Sequence, residues 1–124
     1  MVRRRGVVRS FPRHERLRHA GDIQAVFQRG KREEQPGFIA LWRVGKHGRK
    51  AGFAVSRQVG SAVSRNRARR RLREVYRHLR PTLPDDIEVV FVARPAALSR
   101  TVSDLRGDME RAIAAMASAA RGGA

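Results

Sequence analysis

The most regular pattern of apolar and polar positions along the chain lies in residues 63–79. Apolar side chains recur there at intervals of three and four residues, at Ala68, Leu72, Val75, Tyr76 and Leu79. Because an α-helix turns by about 100° per residue, all five point within about 60° of Leu72. Pro81 follows, and a proline disfavours helical geometry in the residue before it. The spacing predicts a helix over residues 63–79 that buries one face.

Two further helices are predicted on either side of this segment. Residues 16–30 contain an apolar face made of Ile23, Val26 and Phe27. Gly30 follows at the position where a helix C-cap favours a residue with positive φ. In the C-terminal part, Thr101 and Asp104 occupy capping-box positions before an apolar repeat, which predicts a helix that ends near residues 121–123. The repeat consists of Leu105, Met109, Ala112, Ile113 and Met116.

Three stretches have the composition of β-strands. GFIALWRV (37–44) and KAGFAVSRQ (50–58) are rich in β-branched and aromatic residues. We expect them to pair as antiparallel neighbours joined at residues 45–48. IEVVFVARP (87–95) is an almost continuous apolar run, as is typical of a strand buried on both faces. This third strand is predicted to lie in the centre of the sheet.

The order of these elements indicates one α+β domain. A chain of 124 residues has the length of a single folded unit with one modest core. Residues 1–12 are short, basic and contain glycine, so we expect a flexible arm there. Residues 13–120 are predicted to form the domain, and residues 121–124 a flexible C-terminus.

Charge adds a functional prediction to the helix over residues 63–79. The chain has 28 Lys and Arg against 11 Asp and Glu, a formal net charge of +17. Such an excess repels itself, which favours a bound polyanion, and arginine suits phosphate contacts. A GC-rich genome also raises arginine content, but it does not explain an arrangement on one side of a helix. Arg67 and Arg71 point to other sectors, whereas a single arc of about 60° holds Asn66, Arg70, Arg73 and Arg77.

Several classes of protein are disfavoured by what the sequence lacks. It has no apolar run of about 18 residues and no apolar block after the basic N-terminus, so we expect no membrane span and a cytoplasmic protein. It has no cysteine, which excludes disulfides and thiolate metal sites. Its four histidines do not show the spacing of paired metal ligands.

Three stretches resemble the bacterial ribonuclease P protein component: RLRHAGDIQAVFQRGK, AGFAVSRQVGSAVSRNRARRRLREVYR and VVFVARP. The signature of that family is a strand that ends in V-S-[KR], followed by G-x-A-V-x-R-N-R-x-[KR]-R-x-[IL]-R-[EQ]-x-[YF]-R. The resemblance extends from about Arg16 to Met116. Three letters such as R-N-R alone would mean little, but roughly twenty agreeing positions are specific.

The resemblance implies both a fold and a function. The expected fold is a small α/β sandwich with a sheet of about four strands. Its βαβ crossover is expected to be left-handed, although about 98% of such connections are right-handed. Proteins of this family assist a catalytic RNA that removes the 5′ leader from precursor transfer RNA. The RNA subunit and its Mg²⁺ ions perform the hydrolysis, so no catalytic residue and no cofactor are expected in the protein.

Two groups of binding residues follow from the resemblance. The partners that it implies are the catalytic RNA subunit, with one protein per RNA, and precursor transfer RNA. The RNA subunit is expected to contact the arginine-rich helix through Arg65, Asn66, Arg67, Arg69, Arg70, Arg71, Arg73 and Arg77. The leader is expected in a cleft lined by Arg16, Ile23, Phe27, Phe38, Phe53, Val55 and Arg57. Aromatic faces stack on unpaired bases, and guanidinium groups follow the backbone.

One position departs from the family pattern. Ile23 stands where an aromatic residue is usual, and an isoleucine packs against a base but does not stack on it. Leader binding should therefore depend more on Phe27, while Ile23 is equally explained as a core residue. Phe38 and Phe53 are more often core residues than ligands at such strand positions.

Two other functions stay open at this level. The chain could be a nuclease in its own right, but Glu33-Glu34, Glu74 and Asp85-Asp86 are more easily explained as turn residues and charge partners. It could also be a basic structural protein of the ribosome, a function that its composition fits equally well. The RNA that copurifies with the protein distinguishes the three.

Overall fold

The computed structural model describes residues 11–122. Its helices are α1 (Ala20–Arg29), α2 (Ala62–Leu79) and α3 (Val102–Gly122). Its strands are β1 (Lys31–Glu34), β2 (Phe38–Val44), β3 (Lys50–Val55) and β4 (Ile87–Ala93). Short 3-10 turns occupy Arg13–Glu15, Arg80–Thr82 and Pro95–Leu98.

The four strands form one mixed sheet in the order β1-β2-β4-β3. β4 pairs antiparallel with β2 and parallel with β3, and it is buried along nearly its whole length. The prediction of a central strand is confirmed. The prediction that β2 and β3 are paired neighbours is wrong, because β4 lies between them. Their connection crosses the end of β4, where Gly45 N donates to Asp86 O at 2.7 Å, and turns at Gly48 with a φ of 87°.

The edge strand β1 was not predicted, because its sequence KREE has no apolar residue. It pairs antiparallel with β2, with Lys31 opposite Trp42. The charged side chains of such an edge discourage pairing with other chains.

Gly30, just before β1, has a φ of −79°, so the expected positive φ is wrong. A Cβ at this glycine would lie 2.4 Å from Val26 O and 2.9 Å from Trp42 O. The close approach of two backbones requires glycine here.

Two apolar layers lie on opposite faces of the sheet. The larger one fills the space between the sheet and helices α2 and α3, and its rings are Phe11, Phe38, Trp42, Tyr76 and Phe91. The smaller one lies under α1 and centres on Leu17, Val26 and Val90. Alternate residues of each strand point to opposite faces. β2, β3 and β4 therefore each supply side chains to both layers.

The predicted helix over residues 63–79 is confirmed as α2. It begins after Ser61, whose hydroxyl accepts a hydrogen bond from Ser64 N at 3.1 Å. The C-terminal helix is confirmed as α3, and Thr101 Oγ1 accepts from Asp104 N at 3.0 Å at its start. Such side-chain caps satisfy backbone donors that have no partner within the helix.

The domain extends beyond its predicted start at residue 13. Phe11 is buried, and its ring lies 5.3 Å from that of Tyr76 and 6.0 Å from that of Phe53. Residues 11 and 12 thus belong to the fold rather than to an arm, and residues 1–10 lie outside the described part. At the other end α3 continues to Gly122, so the expected flexible C-terminus is wrong for residues 121 and 122, while residues 123–124 lie outside the described part. Within residues 11–122, no helix is both long and apolar enough to span a bilayer.

Candidate nucleic-acid interface

Helix α2 separates an apolar side from a basic side. The five predicted core positions, from Ala68 to Leu79, are all buried. The opposite side carries exposed polar residues, and we call four of them the α2 arginine face: Asn66, Arg67, Arg70 and Arg73. Because the apolar side is packed against the sheet and α3, the guanidinium groups project from a rigid support.

Two arginines assigned to RNA contact by the resemblance are instead bound within the protein. Arg65 Nη1 donates to the carbonyl oxygens of Ser56 and Val59 at 3.2 and 3.0 Å. Arg71 Nε donates to Ala97 O at 2.9 Å, and its Nη2 donates to Arg100 O. Arg65 thereby holds the loop that follows β3, and Arg71 holds the 3-10 turn after β4.

The two remaining arginines of the predicted set have neighbours on the helix itself. Arg69 Nη1 donates to Asn66 Oδ1 at 2.9 Å, and Arg77 Nη2 lies 3.0 Å from Glu74 Oε2. Both side chains are half-buried. Glu74 thus offsets part of the positive charge at the C-terminal end of the row.

The residues predicted for the leader cleft lie on both faces of the sheet. Phe27 is 43% exposed on α1, Arg57 is exposed after β3, and Ile23 is half-buried on α1, where it packs against the smaller core. Phe38 is completely buried in the larger core, and Phe53 and Val55 pack against that core. These last three residues are therefore not part of a surface that includes Phe27, and their assignment to a common cleft is wrong.

The sheet face beside α1 carries residues that the prediction missed. Its half-buried apolar side chains are Ile39, Leu41, Ala54 and Val92. They alternate with the core residues of the same strands, and Ile39 lies opposite Val92 across the β2–β4 pair. Because side chains alternate along a strand, the sequence separates these residues from those of the larger core. It does not tell which set lies beside α1.

A cleft of about 210 Å³ lies beside β3, at the edge of the strand that does not pair with β4. Its walls come from residues 11–18, from β3 and from α2, and we call it the β3-edge cleft. It is lined by Phe11, Arg16, Leu17, Arg18, Ala51, Gly52, Phe53 and Arg73. The cleft thus brings together Arg16 and Arg73, which the sequence assigned to separate surfaces.

The buried carboxylates are all engaged in ion pairs. Glu15 accepts a hydrogen bond from Arg80 Nε at 2.8 Å, and Glu88 accepts one from Arg43 Nε at 2.8 Å. Asp108 accepts one from Arg100 Nε at 2.6 Å. Charges that are buried in this way require partners. Among residues 11–122, no group of three or more Asp, Glu, His or Cys side chains is placed to hold a metal ion.

Tyr76 is buried among three phenylalanine rings close to Glu15. Burial raises the pKa of its hydroxyl well above the usual value, and the negative charge of Glu15 adds to the increase. Within the described chain the hydroxyl has no hydrogen-bond partner. Tyr76 thus belongs to the core that holds α2 in place, and its hydroxyl stays neutral in the folded protein.

Comparison with known proteins connects this arrangement to one family. A family model described as Ribonuclease P matches residues 11–117. The ribonuclease P protein component of Dictyoglomus thermophilum is 41% identical over 87 residues, which cover 69% of this chain and 72% of the relative. That of Gluconacetobacter diazotrophicus is 36% identical over 104 residues, which cover 82% and 90%.

Solved structures agree with these sequence matches. The RNase P protein from Thermotoga maritima superposes with a TM-score of 0.69 at 26% identity, covering 80% of this chain and 94% of that protein. A mutant RNase P protein of Staphylococcus aureus has a TM-score of 0.72 at 20% identity, covering 95% and 98%. This second similarity is one of fold.

Proposed function

The chain belongs to the ribonuclease P protein family, and from this premise we propose that it binds the catalytic RNA subunit and the 5′ leader of precursor transfer RNA on separate surfaces. Membership makes it a component of an endoribonuclease that acts in transfer RNA processing. One protein per RNA subunit is the stoichiometry that we propose. The observation that carries the proposal is the division of α2 into a buried apolar side and the α2 arginine face.

The α2 arginine face is proposed to contact the RNA subunit. Arg67, Arg70 and Arg73 are exposed, and within residues 11–122 none of the three is consumed by an ion pair. Guanidinium groups bind phosphate through two parallel hydrogen bonds. A rigid row of them therefore suits the phosphate backbone of a folded RNA.

The α1 side of the sheet is proposed to receive the leader. Phe27 offers an exposed ring, and Arg57 offers a guanidinium beyond the end of β3. The half-buried apolar side chains of Ile39, Leu41, Ala54 and Val92 lie on the same face of the sheet as α1. An unpaired strand can stack bases on the ring while its backbone follows the charge.

Hydrolysis is proposed to take place on the RNA subunit with its Mg²⁺ ions. In support of this, no acidic or histidine cluster among residues 11–122 is placed to hold a metal ion. The buried carboxylates are bound by arginines. The protein contributes binding and orientation, which favour the reaction by holding the substrate in place.

The test is reconstitution with purified components. The RNA subunit is transcribed in vitro, and cleavage of precursor transfer RNA is measured at low Mg²⁺ with and without the protein. We expect the protein to increase cleavage by the RNA and to show none alone. Cleavage by protein rigorously freed of RNA would reject the assignment of catalysis to RNA. Copurification with ribosomal RNA alone would favour a structural protein of the ribosome.

A further inference from the structure

We propose that the β3-edge cleft is a phosphate-binding subsite for an RNA strand, formed by Arg16, Arg18 and Arg73. The proposal rests on the RNA-binding function proposed above and adds a third contact to the two surfaces described there. The site lies between α2, which carries Arg73, and the segment that leads into α1.

The backbone places two of the three arginines over the cleft. Leu17 N donates to Ala51 O at 2.9 Å, and Arg16 forms a parallel bridge with Ala51. Residues 16–18 thus extend along β3, with Leu17 buried and both arginines exposed. A Cβ on Gly52 would lie 3.1 Å from Leu17 O. Glycine at this position allows the segment to approach the strand so closely.

The guanidinium groups are available to a ligand. Within residues 11–122, Arg18 and Arg73 form neither an ion pair nor a hydrogen bond to the protein. Arg16 is held in place, because its Nη2 and Nε donate to Phe11 O at 3.0 and 3.3 Å. Its guanidinium carbon lies 5.3 Å from the centre of the Phe11 ring. Its third nitrogen stays free to donate.

No carboxylate compensates this charge. None of the described residues that line the cleft is acidic. Glu15 is the adjacent acid in the chain, but it is only 8% exposed and receives two hydrogen bonds from Arg80, at 2.8 and 3.2 Å. Like charges that converge on a concave surface attract an anion, and walls of low dielectric concentrate their field.

The geometry favours a phosphate group rather than a base. Phe11 is 6% exposed, and Phe53 is half-buried, so neither ring offers a full face for stacking. Three guanidinium groups instead offer donors suited to phosphate oxygens. An RNA strand that passes from α2 toward α1 would place a phosphodiester at this position.

The first experiment compares Arg18→Ala with Arg121→Ala. Arg121 is an exposed arginine at the end of α3 that does not line the cleft, so its replacement removes the same charge elsewhere. Binding of the full-length protein to the RNA subunit and to precursor transfer RNA is measured over a range of salt concentrations. For Arg18→Ala we expect the slope of log K against log salt to shrink by about 0.7–0.9 with one of the two RNAs. Arg121→Ala should keep the slope, and Arg18→Lys should largely restore it. The RNA whose slope changes identifies the source of the phosphate.

A second measurement places the RNA at the cleft. The chain has no cysteine, so Arg18→Cys provides a single attachment point for an aryl azide, with Arg121→Cys as the matched control. Cross-linking of the RNA from position 18, and not from position 121, supports the site. The proposal is overturned if Arg18→Ala and Arg121→Ala bind both RNAs with equal slopes.

Failure of this proposal is distinguishable from failure of the proposed function. Arg67→Ala/Arg70→Ala removes two guanidinium groups of the α2 arginine face that do not line the cleft. If this double variant binds the RNA subunit more weakly while Arg18→Ala binds both RNAs as Arg121→Ala does, only the proposed phosphate subsite in the cleft is rejected. If the double variant also binds the RNA subunit as well as Arg121→Ala does, the proposed contact of the α2 arginine face with the RNA subunit is rejected as well. Circular dichroism of each variant verifies that it is folded.

Discussion

Single buried carboxylates connect distant segments of this basic protein. Glu15 binds Arg80 at the end of α2, and Glu88 binds Arg43 on the neighbouring strand. Asp108 in α3 is fully buried and accepts from Arg100 at 2.6 and 3.0 Å and from Arg111 at 2.7 Å. Arg100 O in turn accepts from Arg71. One carboxylate thus supports the contact between α2 and α3.

Replacement of Asp108 should therefore be costly. We expect Asp108→Asn to lower the free energy of unfolding by about 3 kcal/mol, because removal of one partner leaves the charge of the other uncompensated. Glu110→Gln, on the same helix, removes an exposed ion pair with Arg106 and should cost no more than about 1 kcal/mol. Urea unfolding in sulfate buffer measures both. Equal effects of the two variants would contradict the structural role of Asp108.

The Tyr76 hydroxyl offers a second prediction for a single residue. Because it has no partner within the described chain, Tyr76→Phe should change the free energy of unfolding by no more than about 1 kcal/mol. Tyr76→Ala should cost about 3–5 kcal/mol through loss of the ring. A large decrease in the free energy of unfolding of Tyr76→Phe would mean that the hydroxyl is hydrogen-bonded.

The same residue predicts a dependence on pH. Its pKa is raised in the folded protein, so the folded state holds the proton more tightly than the unfolded state. Stability contributed by Tyr76 is present below its unfolded pKa of about 10 and is lost as the pH rises above it. Tyr76 is the single tyrosine of the chain, and its ultraviolet absorbance should report ionisation only together with unfolding. Ionisation of the folded protein near pH 10 would contradict its burial.

At the scale of elements, α2 carries arginines with two different tasks. Arg70 is exposed, whereas Arg71, its neighbour in sequence, donates to two carbonyl oxygens of the segment after β4. Arg71→Ala should lower the free energy of unfolding by about 1–3 kcal/mol, because buried acceptors lose their donors. Arg70→Ala should leave stability unchanged and weaken binding of the RNA subunit. Thermal melts combined with RNA titrations measure both effects, and a reversed outcome would reject the division of tasks.

Helix α1 is expected to act on the substrate rather than on the RNA subunit. Phe27→Ala should weaken binding of precursor transfer RNA by about 1–3 kcal/mol, the usual contribution of a ring stacked on a base. Mature transfer RNA lacks the leader and should bind as before. Phe38→Leu is the control, because Phe38 is a core residue and its loss should lower stability without changing the ratio of the two affinities. If Phe27→Ala weakened binding of precursor and mature transfer RNA equally, the proposed contact between the leader and α1 would be rejected.

The whole molecule combines a net charge of +17 with one modest core. Repulsion among these charges opposes the compact state, and an anion that binds only the folded protein stabilises it by mass action. We expect circular dichroism to show a partly folded protein at low ionic strength that gains structure with sulfate. Sodium chloride at equal ionic strength separates screening from binding and should have a smaller effect. Identical spectra and melting curves with and without sulfate would contradict this expectation.

Features that depend on neighbours along the chain were predictable from the sequence. The heading of each side chain on α2 follows from helix geometry, so the buried stripe from Ala68 to Leu79 and the exposed Arg70 and Arg73 were located correctly. The continuous apolar run of β4 likewise indicated a central strand. The motif around Arg65–Arg73 indicated the family, because a long string of residues carries more information than any single interaction.

Features that depend on contacts between distant segments were decided only by the tertiary structure. Strand pairing joins residues far apart, so nothing local showed that β4 separates β2 from β3. The alternation of side chains along β2 showed that Phe38 and Ile39 point to opposite faces of the sheet. Which of the two faces lies beside α1 depends on the position of that helix in the folded protein. Arg65 and Arg71 satisfy carbonyl groups of other segments, whose positions a helical projection does not contain. The β3-edge cleft exists because residues 16–18 extend along a strand that lies more than thirty residues later in the chain.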